Sequence, residues 1–144
     1  MLGETTINGN LMSVAISGLY ISITAVLVVI FAMRVIQLRR KHKIGLGSSG
    51  NEELRLANRV HANLVENAPM AMILLLVAEQ NHLPGLFLHI LGIAWIVGRI
   101  LHAIGLTQGR GGYHLGRFWG GLLSWLVILI LAGINLGYFF SSLA

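Results

Sequence analysis

Arg59, His61, Asn63, Glu66 and Asn67 fall within nine residues and lead directly into the apolar run that starts at Ala68. On a helix, Arg59, Asn63 and Glu66 stand at i, i+4 and i+7 and share one face, Asn67 lies one step round, and His61 points elsewhere. A second group follows at Arg99 and His102, three residues apart, with Trp95 four before Arg99. A third group, Arg110, Tyr113, His114 and Arg117, lies just before the last apolar stretch, and Arg34 closes the first. Arginine presents a planar fork of donors that matches carboxylates. A glutamate suits an ammonium group, and the amides add neutral donors and acceptors. The chemistry is recognition of a small molecule carrying carboxylates and an amine.

A zwitterionic peptide with two carboxylates and one amine satisfies this set, and glutathione has that inventory. Anionic lipids and acidic metabolites satisfy parts of it. Other chemistries are excluded more firmly. None of the six histidines pairs with another at i, i+4, no acid accompanies His102 locally, and there is no cysteine, so no metal is expected. The chain has no aspartate, which removes a serine–histidine–aspartate triad. "GLTQGRGG" has neither the spacing of a P-loop nor a strand before it.

The elements that carry these residues are apolar helices. Of 144 residues, 56% are hydrophobic and only 10% charged, against about a quarter charged in a soluble domain. Leu11–Met33 and Phe118–Phe140 are each 23 residues without a charge, and Leu83–Gly98 is uncharged and continues through Arg99. A fourth run, Asn67–Ala78, extends backward through the polar motif. Crossing a bilayer core takes roughly 20 apolar residues, so the reading is an all-α membrane protein. It is a single domain over 1–144, a bundle of four transmembrane helices near 11–38, 52–80, 84–106 and 116–140. The first segment is too long, and its start too poor in lysine and arginine, for a cleaved signal peptide. Asn51 with Glu52 and Glu53 forms an N-cap and an acidic first turn for the second helix. Pro69 lies inside that helix, which membrane helices tolerate. Gly116/Gly120 and Gly133/Gly137 on the fourth helix have the spacing that lets helices approach closely.

Seven of the ten lysines and arginines lie between Arg34 and Arg59, and the other three are Arg99, Arg110 and Arg117. The positive-inside rule puts those two connections in the cytoplasm and both termini outside. The net charge of +5 therefore reports topology, and no nucleic-acid partner is implied. Arg34, Arg39, Arg40, Lys41 and Lys43 read as cations snorkelling to lipid headgroups. Arg59 and Glu66 could be a buried pair that holds helices together. However, ionisable groups within a membrane cost a few kcal/mol each and usually face a functional cavity.

The spacing R-x-H-x-N-x-x-E-N at Arg59–Asn67, with Pro69 three after the glutamate, resembles the second-helix signature of the MAPEG family. These are membrane-associated proteins in eicosanoid and glutathione metabolism, microsomal glutathione transferases among them. "GRILHAIG" on the third helix resembles the family's R-x-x-[YH]-x-x-G stretch, and the likeness covers the whole chain. It implies a homotrimer in a bacterial inner membrane with glutathione in a cleft between subunits, open to the cytoplasm. It implies transferase activity, with peroxidase activity as a variant, on a lipophilic electrophile arriving from the bilayer. The implied glutathione contacts are Arg59, Asn63, Glu66, Asn67, Arg99, His102 and Tyr113, with Arg34 and His61 from the adjacent subunit. Arg117 stands where the family has its thiol-activating arginine. Asn67 and Leu106 replace tyrosines of the leukotriene synthase branch, and the longer loop before Arg117 makes Arg110 a competitor. The rival reading is a non-enzymatic membrane assembly factor or lipid-binding protein that uses the same arginines.

Overall fold

A computed structural model describes residues 14–143. The expected start of the first helix at Leu11 lies outside those residues. Four helices follow one another: α1 (Ala15–His42), α2 (Glu52–Gln80), α3 (Gly85–Gln108) and α4 (Leu115–Ser141). Each is long and apolar enough to cross a membrane. Contacts fix their order. α2 and α3 are central, touching each other and both outer helices, whereas α1 and α4 do not meet among the described residues.

Local chemistry explains the ends. The Asn51 side chain accepts the Leu54 N–H at 2.8 Å, as the sequence predicts. α1 runs four residues beyond the expected Leu38, because Arg39, Arg40, Lys41 and His42 complement the negative end of the helix dipole. Lys43 then turns into the left-handed region at φ 55°, and Ile44 N–H donates to Arg39 C=O to close the end. Arg39 differs from the expected snorkelling cation: its guanidinium donates to the carbonyls of Gly45 and Gly47 and to Asn58 Oδ1, fastening the α1–α2 loop. α1 starts without a side-chain cap of its own. Glu79, at the end of α2, supplies one from across the bundle, accepting the N–H groups of Ile16 at 3.0 Å and Ser17 at 2.7 Å.

The core runs along α2 and α3, with Leu64, Ala68, Ala71, Leu75, Leu88, Leu91 and Trp95 packed against Tyr20 of α1 and Val127 and Leu131 of α4. Its polar atoms are bonded. Trp95 Nε1 donates to Thr24 Oγ1 at 3.1 Å, and Thr24 Oγ1 donates to Tyr20 C=O at 2.7 Å. α3 and α4 approach at glycines: a Cβ on Gly105 or Gly120 would run into the backbone of Arg117 or His102. Gly133 and Gly137 have open space beside them within one chain.

Candidate functional site

The third-helix and fourth-helix groups converge. His102 of α3, Asn63 of α2, Tyr113 and His114 of the α3–α4 loop and Arg117 of α4 line one cleft of about 400 Å³. Its other wall is apolar, formed by Phe118, Leu122 and Trp125 of α4. The cleft thus has a basic, polar side and a side suited to a lipophilic molecule.

Each polar group is held by a local device. The close α3–α4 approach brings His102 Nδ1 within 3.1 Å of Arg117 C=O, with Gly121 of α4 alongside the imidazole. Because a carbonyl only accepts, Nδ1 carries the proton and Nε2 is left without a protein partner among the described residues. His114 is the N-cap of α4, its Nδ1 accepting Gly116 N–H at 3.1 Å. Arg117 sits in the first turn of α4, its Nη1 donating to the carbonyls of Gly111 and Gly112, the latter at 2.9 Å. Arg110, the competing arginine, is exposed at φ 48° in the loop and does not line the cleft.

Arg99 is buried, with 3% of its surface exposed. Its Nε donates to Ser124 Oγ at 2.8 Å, Nη1 to Asn63 Oδ1 at 2.8 Å and Nη2 to Gly120 C=O at 3.4 Å. Its guanidinium carbon lies 5.1 Å from the centre of the Trp95 ring. Asn67 donates to Asn63 C=O at 2.8 Å. Arg59 and Glu66 form an ion pair at 3.5 Å, but their side chains are 61% and 55% exposed, on the face of α2 beside the cleft. Within one chain they are therefore not a buried pair. His61 is half-buried, and no hydrogen bond from its side chain is found among the described residues.

Arg34 lies elsewhere. It lines a second cleft of about 250 Å³ between α1, α2 and α3, with Phe31, Val60 and Ile104 among the apolar walls, and faces Glu53 at 3.8 Å. One chain therefore gathers Asn63, His102, Tyr113 and Arg117, while Arg34, Arg59, His61 and Glu66 remain outside that cleft. Sequence reasoning missed Ser124, Trp125 and Glu79. A lone serine or tryptophan in an apolar run carries no spacing signal, but Glu79, an acid at the end of a membrane helix, was a signal available to be read. Among the described residues no group of histidines and acids could hold a metal.

The molecule is an integral multi-pass membrane protein. It is 32% identical over 126 residues to the inner membrane protein YecN of Escherichia coli K12, covering 85% of this chain and 92% of that protein. The YecN protein of E. coli strain CFT073 matches to the same extent. The sequence profile of the MAPEG family matches residues 17–137. The polar motif of α2, the basic cleft between α2, α3 and α4 and all but the outer ends of α1 and α4 lie within that match, and the chain belongs to the MAPEG family.

Proposed function

We propose that this chain is a glutathione-dependent membrane transferase that activates the glutathione thiol as a thiolate. The observation that carries the reading is the two-sided cleft, where Arg117 meets Asn63, His102 and Tyr113 on one wall and Phe118, Leu122 and Trp125 form the other. A free thiol with a pKa near 8.5 is only a few per cent ionised at pH 7. A guanidinium held on the first turn of α4 stabilises the anion, and the positive end of the helix dipole adds to it. Lowering the thiol pKa by about two units takes roughly 2.7 kcal/mol, within reach of one charge-assisted contact in a partly desolvated site. The proton leaves to water in the open cleft. The sulfur pair then attacks an electrophilic carbon, and a halide departs or an epoxide C–O bond opens. Attack on a lipid hydroperoxide oxygen, with a proton taken from water, gives an alcohol and a glutathione sulfenic acid, which a second glutathione thiol converts to the disulfide with loss of water.

Arg59 and Glu66, exposed beside the cleft, and Arg34, on the other side of the α2–α3 pair, are completed in this reading by a neighbouring subunit. In a homotrimer, Glu66 meets the amine of the tripeptide, while Arg34 and His61 come from the adjacent copy. Native mass spectrometry in mild detergent is expected to give trimers; monomers or dimers alone would count against a composite site. The cleft faces the cytoplasm and both termini lie outside, so a C-terminal reporter is expected to be active only when it works outside the cytoplasm. The deciding experiment adds glutathione to the purified protein and reads the ultraviolet absorbance of the thiolate. Its absence, with anionic lipid bound no less well than glutathione, would leave the lipid-binding reading in its place.

A further inference from the structure

We infer that Arg99 is a positioning residue that fixes the Asn63 side-chain amide as a hydrogen-bond donor toward the cleft and does not itself touch the ligand. A guanidinium has five N–H donors and no acceptor. Its Nη1, 2.8 Å from the Asn63 amide, therefore holds the oxygen of that amide against Arg99. The geometry of a planar amide then turns Nδ2 away from Arg99. Nδ2 has no protein partner among the described residues and is not buried, and Asn63 lines the cleft. An amide free to rotate could offer either its oxygen or its nitrogen; this one offers only its nitrogen.

Arg99 can impose that choice because it is itself fixed. Gly98 has no Cβ, and one built there would come within 2.8 Å of Ser124 Oγ and 3.1 Å of Gly120 C=O, so α3 and α4 touch at this level. That contact puts Ser124 Oγ and Gly120 C=O within reach of the neighbouring guanidinium. Ser124 Oγ in turn donates to Gly120 C=O at 2.8 Å, leaving its lone pairs for Arg99 Nε. The face of Trp95 supports the cation from below. A side chain held at four points cannot swing out to a ligand without leaving buried donors unmet, which costs more than an open contact returns.

The inference rests on the proposed glutathione site and sharpens it: the ligand must set an acceptor, a carboxylate or amide carbonyl, against Asn63. An ammonium group cannot bind there and is left to Glu66. Asn63→Asp keeps Arg99 paired but turns an oxygen toward the cleft. It should weaken glutathione at least tenfold in calorimetry, with thermal stability retained; unchanged affinity would overturn the inference. Arg99→Gln, measured alone and in an Asn63→Ala background, separates indirect from direct action. Acting through Asn63, it should cost at least tenfold alone and no more than twofold in the alanine background. An undiminished cost in that background would make Arg99 a direct contact and overturn the positioning role. If Arg99→Gln does not assemble, Arg99→Lys, which keeps a donor for Asn63, is carried through the same cycle and should bind within threefold of the unmodified protein; a larger loss that persists in the alanine background would overturn the role as well. An unmodified protein that does not bind glutathione would sink the proposed function, a result distinct from binding that is indifferent to this cycle.

Discussion

The two ends of the bundle handle their polar residues in opposite ways. Where α1 begins and α2 and α4 finish, the protein satisfies them itself: Glu79 caps α1, Tyr20 hydroxyl meets His89 Nδ1 at 2.9 Å, and Asn81 Nδ2 donates to Asn135 Oδ1 at 3.2 Å while Asn135 Nδ2 donates to Leu74 C=O. At the other end, Arg59, Glu66, Arg110 and Tyr113 stand exposed around two clefts. A chain with so few charged groups does not need open ones for packing. The satisfied end teaches what structural polarity looks like in this molecule, and the open end departs from it. Even there the distinction recurs at closer range, since Arg99 is as fully partnered as Glu79 while Arg117, 18 positions later, borders the cleft.

Substitutions at the open end should move function, and those at the closed end only stability. Arg117→Ala has the largest expected effect: it should abolish the thiolate absorbance while leaving glutathione affinity within about tenfold, roughly 1.4 kcal/mol. Arg110→Ala should change both only modestly, and the reverse result would move the thiol-activating role to Arg110. Glu66→Gln should weaken glutathione by about 1.5 to 3 kcal/mol, as expected for loss of a charged hydrogen-bond partner. It should alter stability by under about 1 kcal/mol, because the pair with Arg59 is exposed; calorimetry with unchanged affinity would remove Glu66 from the site.

Gly105→Ala tests the closeness that places Arg117. The added methyl meets Arg117 backbone, and overpacking of this kind costs about 1 to 3 kcal/mol. Denaturant titration should show that loss together with a weaker thiolate signal. Glu79→Ala should cost about 1 to 3 kcal/mol, since two helix N–H groups lose their acceptor, yet leave glutathione affinity unchanged. A change in affinity would erase the contrast between the ends. Gly133→Ala, with nothing within 4 Å of the new methyl in a single chain, should be the smallest, within about 0.5 kcal/mol of the unmodified protein. A large drop in trimer content would instead show that this face is covered by a neighbouring subunit.

The four spans, the single apolar class and the grouping of Arg59, Asn63 and Glu66 on one face were legible in the sequence, because hydropathy and helical period are local properties and in a bilayer every backbone group must be satisfied within its own helix. The N-cap at Asn51 was legible for the same reason. What depended on contacts between helices was not. Arg99 and Arg117 are the same residue type on neighbouring helices, and no spacing rule distinguishes the one that is fully bonded from the one that borders the cleft. That difference arises where α3 and α4 meet at Gly98, Gly105 and Gly120 and bring Ser124 and a backbone carbonyl to one guanidinium. Arg39 closing its own loop and Glu79 capping a helix 63 positions away are likewise tertiary facts. The sequence determined which residues could do chemistry, because residue type sets donors, acceptors and charge. Only the packing of the helices decided which of them are already satisfied and which remain open to a ligand.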